Sequence, residues 1–132
     1  MRKIKFRGKN LSDDWVYGDL IHFRGNTQIA YLEPGSRRKY EVMTNPIDPE
    51  TVGEYTGFDD ADGTEIYEGD RLVSVEASKK AKRRGEINVV YKVVLNEEYH
   101  TWDMEYENGK GVQTIQLDVY RAKKYRVMKE AK

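Results

Sequence analysis

The chain has no cysteine. That excludes disulfide scaffolds, thiol catalysis and zinc–thiolate centres. It has two histidines, His22 and His100, too few for a multi-histidine metal centre. No apolar run approaches the roughly 20 residues of a membrane-spanning helix. The charged start Met1-Arg2-Lys3-Ile4-Lys5 has no apolar stretch behind it, so it does not read as a signal peptide. Large aliphatics are also scarce: Val, Leu, Ile and Phe together make up 21% of the chain. At that level a chain verges on disorder unless something else supplies apolar area. Ten tyrosines and two tryptophans supply it, and 23 basic residues balance 23 acidic ones. The expectation is a folded, polar protein with a small core, free of strong self-repulsion.

Charge is unevenly spread along the chain. Residues 1–70 carry 9 basic and 14 acidic side chains, residues 71–132 carry 14 and 9. Such a dipole fits partners of opposite sign for the two halves, or association of unlike ends. It also fits two solvated surfaces that merely differ.

The periodicity is that of strands. Ile4 and Phe6 alternate with Lys3, Lys5 and Arg7, and Trp15 to Phe23 is rich in β formers. Gln28 to Leu32 reads as a third strand and Tyr40 to Met43 as a short fourth, with a Pro34-Gly35 turn between them. Two prolines exclude a regular strand over Asn45 to Gly53, where Asp48-Pro49-Glu50 can open one helical turn with Asp48 as cap. Asp62-Gly63 and Glu68-Gly69-Asp70 read as turns, and Arg71 to Val75 as a strand. A long strand is expected from Glu86 to Leu95, with Ile87, Val89, Tyr91, Val93 and Leu95 on one face. His100 to Tyr106 and Val112 to Leu117 then pair across Asn108-Gly109. Asp118 to Lys123 can form a capped helical turn before a last strand, Tyr125 to Met128.

These elements predict an all-β protein with one or two short helical turns. Its C-terminal part, residues 65–132, has the strand order of a small SH3-like barrel, which buries one face with few aliphatics. An N-terminal β segment with a motif loop, residues 1–64, is expected to pack against that barrel as part of one structural unit.

Four segments resemble, in order and spacing, the YopX family of phage and prophage proteins. They are Lys5-Phe6-Arg7-Gly8-Lys9, Trp15-Val16-Tyr17-Gly18-Asp19-Leu20, Asp48 to Gly57, and Asp62 to Asp70. The resemblance is carried by residues 2–75. It implies a phage or prophage origin, a bacterial cytoplasm and a mostly β fold with an SH3-type barrel. It brings no reaction and no catalytic residues. Within the motifs the glycines mark turns or close strand approaches. Trp15, Tyr17, Tyr55 and Tyr67 read as packing residues, with a platform for bases or a peptide as the functional alternative.

Three clusters could carry chemistry. Asp59, Asp60, Asp62, Glu65, Glu68 and Asp70 gather six carboxylates that could serve a metal-dependent enzyme. They fail the register of an EF-hand, and they fit a solvated, turn-rich loop. His22 and His100 are lone histidines on strands, without the partners of an acid–base pair. No phosphate loop, nucleophile elbow or zinc-protease motif is present. No catalytic residue, cofactor or metal ligand is therefore assigned. The sharpest feature is Lys79-Lys80-Ala81-Lys82-Arg83-Arg84, read as an exposed hairpin loop. Lys79, Lys80, Lys82, Arg83 and Arg84 could neutralise phosphates and release counterions, and Arg37-Arg38-Lys39 could extend the patch. The sequence thus predicts a non-enzymatic binding module for nucleic acid. The alternative is a module for a host or phage protein, or one that self-associates, with no membrane role.

Overall fold

The computed structural model describes residues 3–33, 41–85, 89–108 and 110–129. The Pro34-Gly35 turn, the Arg37-Arg38-Lys39 cluster and the expected strand start at Glu86 lie outside these residues. The described residues form two antiparallel sheets with few short helices, so the protein is all-β. The chain divides into two compact units, Met1–Tyr55 and Thr56–Lys132. The division falls inside a strand, ahead of the boundary at residue 64 read from the sequence.

In the first unit, strands β1 (Phe6–Lys9), β2 (Trp15–Phe23), β3 (Asn26–Glu33) and β4 (Glu41–Pro46) lie in the order β4-β3-β2-β1. The start of β5 (Gly53–Asp59) pairs with β1, Phe6 opposite Glu54. Ile4 is exposed and stays outside the strand it was expected to open. Pro46 ends β4, contrary to the expectation that proline excludes a strand here. β4 is an outer strand, where a missing N–H is tolerated.

The registers Phe6–Gly18 and Leu20–Ile29 place these residues on one face, around the buried Ile29 and Ile47. A Cβ at Gly18 would run into the carbonyl oxygen of Ala30, so the close approach of β2 and β3 requires glycine there. Asp48 caps the predicted helical turn, Pro49–Thr51, by accepting from Glu50 N at 3.1 Å. Thr51 Oγ1 then accepts the Lys9 N–H at 2.8 Å and fixes this turn to β1.

In the second unit, the end of β5 lies beside β6 (Glu65–Tyr67). A second sheet has the order β10-β9-β8-β7-β11. Its strands are β7 (Arg71–Ser74), β8 (Tyr91–Asn96), β9 (Thr101–Asn108), β10 (Gly111–Gln116) and β11 (Tyr125–Val127). The core is Ile66, Leu72, Val93, Trp102, Met104, Leu117 and Ala122. The expected β8 face is only partly realised. Val93 is buried and Tyr91 half-buried, whereas Leu95 is exposed and Val89 precedes the strand and is exposed. The four-residue helix α2 (Val119–Ala122) is capped by Asp118, which accepts from Arg121 N at 2.7 Å. It precedes the last strand as expected. β10 and β11 are the outer strands of this sheet.

Candidate nucleic-acid interface

The basic run is not a hairpin loop. It is the body of a ten-residue helix, α1 (Val75–Arg84), set between β7 and β8. The residues dictate this locally. Ser74 Oγ accepts the Ala77 N–H at 3.1 Å, which caps the first turn. Glu76 sits in that turn and Lys82, Arg83 and Arg84 in the last, so both charge types match the helix dipole. Alanine, lysine and arginine lose little on entering a helix. Gly85 ends it with φ 70°, a left-handed conformation that suits glycine, and donates to Ala81 O.

Only Ala81 is buried, with Val75 and Ser78 half-buried. These residues recur every third position and define the inner face. Lys79, Lys80, Lys82, Arg83 and Arg84 are all exposed, so the helix displays five cations along about 8 Å of its axis. Beside its first turn lies a groove lined by Glu76, Arg121, Lys123, Lys124 and Tyr125. Arg121, Lys123 and Lys124 thus bring further cations beside the first turn of α1, and sequence reading missed them. The run Arg121-Ala122-Lys123-Lys124 carried the signal, but it was read only as a helical turn.

The six clustered carboxylates do something else. Asp59 and Asp62 are exposed, as a solvated loop requires, but Asp60 is only 5% exposed and Asp70 only 8%. Asp60 Oδ1 accepts from Asp62 N at 2.8 Å and Thr64 N at 2.9 Å. Its Oδ2 accepts from Val127 N at 2.8 Å, 67 residues away. Asp70 Oδ2 accepts from Tyr67 N at 2.8 Å, and Asp62 holds Arg126 Nε at 2.6 Å. Among the described residues no group of three His, Asp or Glu is placed to hold a metal ion.

The two histidines are exposed and lie in different units. His22 Nδ1 lies 3.3 Å from Thr27 Oγ1. His100 is in the turn before β9, with φ 55°, and not on the strand expected for it. Tyr55 and Tyr67 are buried, as packing residues should be. Trp15 is half-buried, with the Arg7 guanidinium 4.1 Å and the Lys9 ammonium 5.1 Å from its ring centre. Tyr17 is exposed, with Lys5 Nζ 5.7 Å from its ring. In the second unit Tyr91 meets Tyr106 and Tyr125 edge to face, at 5.0 and 5.5 Å. Burial, with Tyr125 and Tyr106 adding to it, raises the Tyr91 pKa above 10.0.

A family model described as YopX protein matches residues 5–128. The chain belongs to the YopX family. The match runs past residue 75, where the sequence resemblance was strong, and takes in α1, the second sheet and β11. No curated protein matches the chain. Among the described residues of this YopX chain no helix is long and apolar enough to cross a membrane.

Proposed function

We propose that this YopX-family chain is an accessory protein of phage or prophage origin. In this reading it works in the bacterial cytoplasm as a non-enzymatic module that binds nucleic acid through α1. One observation carries the reading: five cations stand exposed on a capped helix whose single acidic residue, Glu76, is in its first turn. A rigid helix holds these charges at fixed spacing, which a loop would not, and phosphate contact by Lys and Arg dominates affinity for nucleic acids. Lys123 and Lys124 would widen the contact. The second unit supports it as a small SH3-type barrel, open between β10 and β11. The strand order and the helical turn before β11 favour that architecture.

The test is fluorescence anisotropy with labelled single- and double-stranded DNA and with RNA. Five phosphate contacts would weaken duplex binding on the order of 500-fold between about 50 and 200 mM salt. The variant with Lys79, Lys80, Lys82, Arg83 and Arg84 changed to Gln would lose that dependence. Absence of binding by the parent chain at low salt would sink this reading.

A second reading has its own support. Ile21, Phe23, Leu32 and Val42 are exposed large hydrophobics on the first unit's strands. They favour contact with a host or phage protein, and binding of that kind would change little with salt.

A further inference from the structure

Outer strands invite pairing with other chains, and proteins usually blunt them. β4 is blunted by Glu41 and Pro46, and β11 is three residues long and carries Arg126. β10 carries no charge of its own, and Arg121, from the helical turn that follows, guards only its Gln116 end. Its six residues, Gly-Val-Gln-Thr-Ile-Gln, contain no charge and no proline, and Val112 is 60% exposed. Among the described residues no strand pairs with its outer edge.

The direction of its free groups is fixed by its inner partner. β10 pairs with β9 with Gly111 opposite Asn108 and Ile115 opposite Met104. One step further along, the Leu117 N–H donates to Trp102 O at 2.8 Å. Hydrogen-bonded pairs alternate along an antiparallel ladder. Gly111, Gln113 and Ile115 therefore spend their N–H and C=O groups on β9. Val112, Thr114 and Gln116 aim theirs outward, where the Gln116 C=O accepts from Arg121 Nη1 at 2.8 Å.

We propose that a second copy of this chain pairs antiparallel on β10, about a two-fold axis that passes through Thr114. A two-fold axis perpendicular to the sheet sets residues of the same parity opposite one another. With the axis at Thr114, every outward residue meets an outward residue. Thr114 faces Thr114 of the second copy, and Val112 faces its Gln116. The pairing gives about four backbone hydrogen bonds beside the Arg121 contact at Gln116, and about six where the second lone pair of that carbonyl also takes the Val112 N–H. Charge agrees with this register: the exposed Lys110 falls opposite the exposed Asp118 of the second copy, once on each side of the axis. The contact is isologous, so it closes at two copies and does not propagate. It stands independently of nucleic-acid binding.

The chain's lack of cysteine makes the test direct. Residues in a hydrogen-bonded antiparallel pair have Cα atoms about 5.5 Å apart, within disulfide reach. Thr114→Cys should form a disulfide-linked dimer under mild oxidation. Val112→Cys, whose two copies would lie about 14 Å apart along the strands, should not. Sedimentation velocity over a concentration series should show a parent dimer that is lost in Thr114→Lys, where two cations meet on the axis. The proposal is overturned by a parent chain that stays monomeric, by a dimer that survives Thr114→Lys, or by equal crosslinking of the two cysteine variants. Circular dichroism of each variant checks that the fold is intact, which the exposed position of Thr114 leads us to expect.

Discussion

The second unit holds two charge clusters close in sequence, and they are used in opposite ways. The acidic segment turns two of its carboxylates, Asp60 and Asp70, inward, where they hold backbone N–H groups. The basic segment of α1 turns its cations outward, and only Ala81 is buried. The difference follows from side-chain chemistry. A carboxylate is short and acceptor-only, so it can gather the N–H groups that a tight turn leaves unpaired. Lysine and arginine are long and keep their charge in water while their stems lie along the surface. One cluster therefore contributes to stability, and the other is available for binding. The division at Tyr55 reinforces this. By sequence, residues 1–55 carry 9 basic and 8 acidic side chains, and residues 56–132 carry 14 and 15. The dipole between the halves disappears when the chain is cut where the structure divides, and the segregation of charge lies inside one unit.

The contrast predicts a graded set of effects. Asp60→Ala removes the acceptor of three N–H groups in a buried setting and should cost about 3 kcal/mol in urea unfolding. A loss under about 1 kcal/mol would place the acidic cluster in the same class as the basic one. Asp70→Ala removes the acceptor of Tyr67 N and should cost about 2 kcal/mol in the same assay. Ser74→Ala removes the cap of α1 and should cost about 1 kcal/mol, with amide exchange rising first over Val75 to Ser78. Changing Lys79, Lys80, Lys82, Arg83 and Arg84 to Gln should move stability by no more than about 0.5 kcal/mol. A larger loss would mean that the outward cations also hold the fold.

A pH experiment sharpens the same contrast. Tyr91 is neutral when protonated, and its folded pKa is raised above the unfolded value near 10.0. The stability tied to it is therefore fully present below pH about 10 and is lost as pH rises through the folded pKa. Alkaline unfolding should be shallower in Tyr91→Phe than in the parent chain. Ultraviolet titration should show one phenol ionising late.

Much of the fold was legible because its signals are local. Asp48-Pro49 and Asp118 announce capped turns. The alternation from His100 to Tyr106 and from Val112 to Leu117, broken at Asn108-Gly109, announces a hairpin, and the structure pairs β9 with β10 there. Helix α1 was missed although its signals were equally local. Ser74 and Gly85 stand at its ends, and Glu76 is four residues before Lys80. Its apolar face is only Val75, Ser78 and Ala81, too faint a stripe to outweigh a charge run that resembles a loop. The residues of the candidate interface were thus readable and their geometry was not. Neither was the burial of Asp60, because its partner Val127 is 67 residues away and no local pattern reports such a contact.

That long reach also orders events during synthesis. The turn at Asp60 is clasped to β11 three times: Ala61 N–H to Tyr125 O, Asp62 to Arg126, and Asp60 to Val127 N–H. A ribosome makes the turn first and its clasp last. Among the described residues the strand pairs of the first unit lie within residues 6–54, so it can close while translation continues. The second unit must wait, its acidic turn carrying unclaimed acceptors, until Val127 has left the exit tunnel.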